Sequence, residues 1–467
     1  MLEPPRSLWW DSLPAPVVAR ARLDRDLDVD VAIVGGGFTG LWTARELLAR
    51  DPALRVAVIE QSVCGFGASG RNGGWASALF PVAADAVIER YGRDAYDHVR
   101  RVLQDAVVAL GQAAANEGID AHFVRGGALT FARSEIHRAR LIAEVDHARS
   151  LGVTESDLVW LDEAAVKDRG VVAQSLGATY TPHCARIHPA RLVRGLADAV
   201  AAKGASVFED THVTRIVPAS RSARAKVLTL GATVSADVVV RATEGFTSRL
   251  PGYRRDLAPI YSLMIATAPL PAAFWDEVGF GGYETFADDR HLIIYGQRTS
   301  DDRIAFGGRG APYHFASTVE TRFDHNQRVF ALLESTLREL FPTLDAPVTH
   351  TWGGPLAMPR DLSPSVAFDR SRGIAVAGGY TGDGVVLSYV AANALADVIA
   401  TPDVATEFSQ LCFVQRHSKR WEVEPLRWMG INAGLALATH ADYTERTKGR
   451  EGAAGRLVDR LFSQTPH

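Results

Sequence analysis

The sequence predicts an α/β fold. Strand–helix–strand (βαβ) units of Rossmann-like type are interleaved with a mixed, largely antiparallel sheet, and helices close the C-terminus. Three observations predict it. Strand–helix patterns recur at 30–60, 186–243 and 373–399. Between them, 257–310 holds strands of mixed polarity punctuated by Pro and Gly, the pattern of a separate antiparallel sheet. The chain has 467 residues, and single hydrophobic cores stop growing beyond roughly 250–300 residues.

The first unit is the most specific. Asp30–Val34 reads as a short apolar strand, Leu41–Arg50 as a Leu- and Ala-rich helix, and Arg55–Ile59 as a second buried strand. Gly35, Gly37 and Gly40 give G-x-G-x-x-G between strand and helix, and Glu60 stands 20 residues past Gly40. One glycine allows the tight turn, one lets the backbone approach a pyrophosphate, and one lets helix and strand pack closely. The helix N-terminus offers amides and a positive dipole end to phosphates. Glu60 is placed to accept hydrogen bonds from both ribose hydroxyls of an adenosine. An acid there disfavours the 2′-phosphate of NADP and leaves FAD or NAD.

Composition narrows the class. At 47% hydrophobic and 22% charged the chain is an ordinary globular one. A net charge of -4 gives no reason to expect nucleic acid or an anionic membrane as partner. Cys64, Cys184 and Cys412 lie far apart without C-x-x-C, so neither a disulfide framework nor a metal knuckle is expected, and a reducing cytoplasmic setting fits. The start has no continuous apolar run of signal-peptide type, and no stretch approaches the length of a membrane span.

In chain order, 1–29 reads as an arm whose Trp9 and Trp10 dock on the body. The run 65–74, GFGASGRNGG, crowds five glycines into ten residues, a loop able to bring backbone amides against a flat ligand. Residues 82–117 carry helical periodicity, as one long helix or a broken pair; 122–132 is a strand or hairpin; 133–150 is helical; Asp162 caps a short helix. Pro189 opens the next helix, Gly231 turns a hairpin, and a helix is expected over 316–340. The expected domains are 30–120, 181–256 and 353–404 for the nucleotide, 121–180 and 257–352 for the substrate, and 405–467 as a helical extension.

A second glycine turn, GGYTGDG, precedes the helix Val385–Ile399. Sites of this kind at both ends of the chain suit a long cofactor gripped at two places, which favours FAD over NAD. The reading against it is a plain turn followed by a packing helix.

Four segments, DVAIVGGGFTGLWTARELL (30–48), GFGASGRNGG (65–74), RIHPARLVRGLADAVAAKGASVFEDTHV (186–213) and AGGYTGDGVVLSYVAANALADVI (377–399), resemble the D-amino acid oxidase-like superfamily of FAD-dependent oxidoreductases. DDRIAFGGRG (301–310) and WEVEPLRW (421–428) resemble its γ-glutamylputrescine oxidase-like branch. The resemblance implies that Gly35, Gly37 and Gly40, with Phe38 and Thr39, wrap the pyrophosphate, and that Glu60 and Gln61 take the adenosine ribose. It places Ser69, Arg71, Asn72, Gly73 and Gly74 beside the pyrophosphate, ribityl chain and isoalloxazine. Val213 would touch the adenine end and Thr243 would close its strand. Gly379, Gly382, Asp383, Gly384 and Val385 would meet the pyrimidine edge of the flavin. Glu244 departs from the family pattern at Ala-Thr-Gly. The regions that attach flavin covalently in some relatives lack Cys, and GASGRNGG lacks His, so noncovalent FAD is expected; His350 is the one loose end.

The implied activity is oxidation of a C–N bond in a small primary or secondary amine or amino acid by hydride transfer to flavin N5. The imine then hydrolyses, and O₂ or another acceptor takes the electrons. A γ-glutamylputrescine-like amine is the expected substrate. The alternatives are a D-amino acid or glycine-type dehydrogenase, and a flavin-dependent RNA-modifying or redox-partner protein. Arg298 and Arg309 are candidates to grip a substrate carboxylate, or else form surface pairs. Tyr261, Tyr295, Trp352 and Tyr380 are candidates for the wall of the amine pocket, or for ordinary core packing. No His pair has metal-ligand spacing, and no Lys lies between Lys226 and Lys419 to promote reaction with oxygen.

Overall fold

A computed structural model describes residues 7–308 and 310–462. Arg309, one of the two candidate carboxylate ligands, lies outside the described residues.

The nucleotide-side sheet has eight strands. Its central path runs Ser365–Asp369, Ile374–Gly378, Thr233–Arg241, Leu27–Val34, Val56–Ile59 and Ser206–Phe208. The four inner pairings are parallel, and only the edge strand Ser365–Asp369 runs antiparallel. Both faces of such a sheet are covered, which is why these strands read as near-continuous apolar runs. Val31, Ile33, Val58, Val240 and Ala375 pack under the helices Phe38–Arg50 and Gly384–Ala400. Ala32, Val34, Ala57, Ile59 and Val239 pack against the antiparallel strands Val213–Val217 and Ala225–Thr229. Helix Gly384–Ala400 is buried nearly all round, as a helix without a polar face must be.

The second sheet also has eight strands: Val348–Met358, Ala258–Thr267, Ile304–Gly308, Ile294–Arg298, Thr285–Asp288, Ala128–Phe131, Ala178–Thr181 and Val159–Leu161. All neighbours pair antiparallel except Thr285–Asp288 with Ala128–Phe131. Strand alternation gives it two distinct faces. Leu263, Ile265, Ile294, Ile304 and Phe306 pack against helices Ala272–Val278 and Gln327–Leu340. Met264, Ala266, Tyr295, Ala305 and Trp352 look the other way, onto Trp9, Val63, Phe66 and Ala190. A two-stranded ribbon, Trp75–Ser77 with Cys184–Arg186, completes the β-structure.

Several elements differ from their expected bounds. The helix expected over 316–340 begins at Gln327, capped by Asn326; short 3₁₀ turns at Phe315–Ser317 and Thr321–Asp324 precede it. The strand Val348–Met358 runs six residues past 352. Residues 82–117 form a broken pair, Ala84–Tyr91 and Arg93–Asn116, parted at Gly92, where φ is +88°. Residues 405–425 hold no helix, and the tail becomes helical only at Leu426–Lys448 and Ala453–Phe462.

The N-terminal arm docks. Trp9 and Trp10 are buried, and the Trp9 indole N–H donates to the Asn72 carbonyl at 2.8 Å. Further on, Glu209 accepts from the Arg20 amide at 2.8 Å and the Cys64 amide at 2.7 Å, and pairs with the Arg20 and Arg194 guanidinium groups. That fully buried carboxylate ties the arm to the edge of the nucleotide sheet, and its pairing holds its pKa below the ordinary value against the pull of burial.

Candidate functional site

The first glycine turn sits at the end of strand Leu27–Val34. Gly35 has φ +113°, and a Cβ there would lie 2.3 Å from the Ala242 carbonyl oxygen. A Cβ on Gly40 would lie 2.0 Å from the Gly35 carbonyl oxygen. Gly37 precedes the helix, and the Ser69 hydroxyl, 2.9 Å from where its Cβ would stand, accepts from the Phe38 amide at 2.8 Å. The turn is thus packed from below by strand and helix and braced at the helix N-terminus by the glycine loop.

Glu60 closes the neighbouring strand. Its carboxylate oxygens accept from the Gly36 amide at 2.8 Å and the Ser62 amide at 2.9 Å. Burial pushes its pKa up, and these amides oppose the shift. Gln61 lies between Glu60 and Ser62, whose buried hydroxyl has no protein partner. Thr211 donates its amide to the Glu60 carbonyl at 2.9 Å, which brings Val213, first residue of the next strand, to the same end of the sheet.

The glycine loop bridges the two sheets. Arg71 donates from Nη1 to Asp324 Oδ2 at 2.7 Å and to the Gly353 carbonyl at 2.8 Å, while its Nη2 is buried without a partner. Trp352 donates its indole N–H to the Arg71 carbonyl at 2.9 Å. Asn72 Oδ1 accepts from the Gly74 amide at 2.8 Å. A Cβ on Gly73 would stand 2.5 Å from the Tyr295 ring, and one on Gly74 2.0 Å from Gln297 Nε2. Gln297 donates that Nε2 to the Gly73 carbonyl at 2.6 Å, leaving Oε1 buried without a donor. Tyr295 and Ser262 share a hydroxyl hydrogen bond of 2.8 Å.

The second glycine turn uses left-handed backbone at Gly379 (φ +79°) and Gly382 (φ +116°). Asp383 then stands at the cap position of helix Gly384–Ala400, with Val385 in its first turn. Tyr380 points between the two glycine helices, its hydroxyl 3.1 Å from Thr39 Oγ1, and burial pushes its pKa far up. It couples the two helix N-termini. Trp352 and Tyr295 are on the face toward the glycine loop. Tyr261 is on the opposite face, its ring against His314 and Phe323. Arg298 also alternates away from Tyr295 and Gln297: its Nε and Nη2 are taken by Asp302 Oδ1 at 2.8 and 2.6 Å, and it stacks on Trp275.

Thr243 closes strand Thr233–Arg241 with its hydroxyl 2.9 Å from that of Thr247. The neighbouring Glu244, the departure noted in the sequence, adopts φ +39° and accepts the Gly379 amide at 2.7 Å through Oε1. It joins the ends of two strands and borders a cavity of about 70 Å³ with Arg241, Asp256 and His417. Burial pushes its pKa up to about 8 from an ordinary 4.5, against the pull of Gly379 and Arg241. Between those two values the folded protein holds a proton that the unfolded chain releases. Raising the pH from about 5 to 8 therefore favours unfolding, with a ceiling of about 1.4 kcal/mol per pH unit. Thermal melts of FAD-free Glu244→Gln are expected to lose this slope relative to wild type. Identical pH dependence in the two proteins would refute the assignment.

Sequence reasoning missed Ser62, Gln297 and Asp324 as parts of this arrangement. Only Gln297 carried a usable signal, two residues beyond Tyr295 on one strand face. Among the described residues no cluster of His, Cys, Asp or Glu could hold a metal ion, and no helix is long and apolar enough to cross a membrane.

Glu60 meets the first glycine turn at Gly36, Ser69 meets it at Phe38, and Tyr380 ties the Gly379–Gly382 turn to the same helix. Buried polar atoms without partners are rare in native folds. Ser62 Oγ, Arg71 Nη2 and Gln297 Oε1 therefore fit a bound polar ligand, and the glycines let strand, helix and loop close together around it. These features are what a site for an extended dinucleotide beside a second sheet requires.

The family model for FAD dependent oxidoreductases (DAO) matches residues 30–398, and the chain belongs to that family. It is an FAD-dependent oxidoreductase of the amine- and amino-acid-oxidising superfamily. It is 28% identical to a probable oxidoreductase OrdL of Haemophilus influenzae over 80% of this chain and 83% of that protein. It is 27% identical to the gamma-glutamylputrescine oxidoreductase of Escherichia coli over 81% of this chain and 85% of that protein. The crystal structure of glycine oxidase from Geobacillus kaustophilus superposes with a TM-score of 0.69 at 23% identity, covering 84% of this chain and 99% of that one. That likeness shows the fold.

Proposed function

We propose that the protein oxidises the C–N bond of a small primary or secondary amine of γ-glutamylputrescine type, with O₂ as electron acceptor. The observation that carries this reading is the make-up of the sheet face toward the glycine loop. Met264, Ala266, Ala305 and Trp352 make it apolar and are packed under Trp9 and Val63, while Tyr295 and Gln297 supply polar points against the glycine loop. His350 stands on the same face but with two strands between it and Gln297, where its ring meets Asp11 of the N-terminal arm at 3.6 Å. A substrate beside Gln297 must arrive as the neutral amine, and the protein's part is to bind, orient and exclude water.

Bound FAD supplies the two-electron acceptor for hydride from the carbon next to the substrate nitrogen. Glu60, the Gly35–Gly40 turn and Ser69 would hold its adenosine and pyrophosphate, and the Gly379–Val385 turn its far end. Arg71 and Trp352 fasten the glycine loop to the second sheet, and Tyr295 and Gln297 set the depth of the pocket. The iminium left by hydride loss gives a proton to solvent, and water hydrolyses the imine to a carbonyl compound plus ammonia from a primary amine or an amine from a secondary one. The likeness to the Escherichia coli gamma-glutamylputrescine oxidoreductase supports the substrate class.

Anaerobic titration of the purified yellow protein with γ-glutamylputrescine, glycine, sarcosine and D-amino acids tests this. The visible flavin band is expected to bleach most readily with γ-glutamylputrescine, then to return in air with formation of H₂O₂. No bleaching by any amine would refute the reading. Bleaching that air does not reverse would replace O₂ with another acceptor.

A further inference from the structure

Arg186 lies on the short ribbon that joins the two domains, and it is 5% exposed. Its Nε is fully buried without a partner, and among the described residues no carboxylate or carbonyl pairs with its guanidinium. Such a group does not escape by losing its proton, since Arg keeps its charge in proteins. An uncompensated buried charge is among the costliest features a fold can hold. The nearby acids are committed elsewhere: Asp301 to Arg303 at 2.7 Å and Asp302 to Arg298 at 2.6 Å. What Arg186 does touch is the face of Tyr283, with its guanidinium carbon 4.1 Å from the ring centroid, a ring that the Arg298 guanidinium also approaches at 5.1 Å. A stacked guanidinium keeps its N–H edge open, the geometry that receives two carboxylate oxygens side by side.

The position ties this edge to the site. Arg186 stands opposite Trp75 in the ribbon, so both side chains leave on one face, and Trp75 lies edge-on to Tyr295 at 6.3 Å. The next residue, Ile187, donates its amide to the Gly74 carbonyl at 2.7 Å and accepts from Gln297 Nε2 at 3.4 Å. Because two carbonyls, those of Gly73 and Ile187, hold the Gln297 NH₂ group, its Oε1 is fixed as the free acceptor. Arg186 thus brings a buried Nε without a partner, and Gln297 a buried Oε1 without a partner, to the segment around Ile187.

We propose that Arg186 anchors a carboxylate carried by the amine substrate, while Gln297 Oε1 receives an N–H of its amine. The inference rests on the amine-oxidation reading above and adds the part of the substrate that is recognised. It makes the protein selective for amino acids or for amines ending in an acid.

The holoenzyme is compared with Arg186→Met and Arg186→Lys in two measurements. Glutarate, which carries no oxidisable amine, is titrated against the visible flavin spectrum. Anaerobic flavin reduction is then followed with an acid-bearing amine and with its neutral carboxamide analogue. Wild type is expected to bind glutarate saturably and to favour the acid over the carboxamide. Arg186→Met is expected to weaken glutarate binding and raise the KM for the acid by about 100-fold. It should keep its FAD and lose far less with the carboxamide than with the acid, and Arg186→Lys should recover part of the loss. The proposal is overturned if wild type shows no spectral response to glutarate, or if Arg186→Met keeps its preference for the acid. It is also overturned if both variants lose FAD and slow both amines alike, which marks a structural role. Failure of every amine to reduce the flavin would sink the functional reading instead, and the glutarate titration would still report on Arg186.

Discussion

Gly40→Ala is expected to yield protein that folds in outline but does not retain FAD. Two effects of opposite sign meet at this position. Alanine is favoured over glycine in a helix interior by about 0.8–1.0 kcal/mol. Against that, the new Cβ would fall 2.0 Å from the Gly35 carbonyl oxygen and 3.1 Å from Ile33 Cγ2. The first of these is a backbone atom of the turn itself, so no side-chain rotation relieves it. Overpacking of this kind costs about 1–3 kcal/mol even where neighbours can give, and the helix must back away from the strand. Its N-terminal amides then retreat from the phosphates. Losing one hydrogen bond to a charged group removes about 1.5–3 kcal/mol of binding, a drop of roughly 10- to 100-fold in affinity. The ratio of flavin to protein absorbance after gel filtration measures the outcome, with Gly231→Ala as control. A Cβ on Gly231 meets nothing within 4 Å. Wild-type FAD content in Gly40→Ala would overturn the steric account.

The same turn explains why so much of this site can be read from the sequence. Gly35 and Gly40 are needed by backbone geometry within one strand–turn–helix unit, and local geometry leaves a local pattern. Glu60 is legible for a related reason, since a fixed helix length carries the chain back to the end of the next strand. Arg186 and Gln297 are not legible in this way. Their meeting depends on Trp75–Ser77 pairing with Cys184–Arg186 and on strand Ile294–Arg298 crossing the same loop, contacts between segments far apart in sequence. Arg298 illustrates the cost of a missing register. It reads as a carboxylate ligand at the end of a polar strand, yet alternation turns it to the other face and Asp302 takes its donors. Tyr380 reads as an aromatic wall, but the tight turn at Gly379 directs it back to Thr39. Glu244 was visible as a departure from pattern. Its bond to Gly379, 135 residues away, was not.

Asp324→Ala is expected to be among the most damaging single changes outside the glycine turns. The Arg71 side chain is 2% exposed and its partner Asp324 10%, with Nη1 and Oδ2 2.7 Å apart. Burial raises the Asp324 pKa, and the adjacent guanidinium opposes that shift. Removing one partner of a buried pair costs about 3–5 kcal/mol, chiefly because the other charge is left uncompensated. Here the stranded cation would sit where the glycine loop meets the second sheet, beside the Trp352 bond to the Arg71 carbonyl. The loop and the strand Val348–Met358 would part together, so heat should release flavin well before wild type does. A double replacement separates the two roles of the pair. Arg71→Met with Asp324→Leu removes both charges and fills the space, a change that is often neutral or stabilising. The double variant is expected to regain the protein's melting transition while still binding FAD weakly, because it removes Arg71 Nη2, a buried donor with no protein partner. Protein melting followed by tryptophan fluorescence, and flavin release followed by flavin fluorescence, distinguish these outcomes in one temperature scan. If Asp324→Ala shifts neither signal, the pair is a bystander. If the double variant regains both, Arg71 serves the interface alone and takes no part in holding the cofactor.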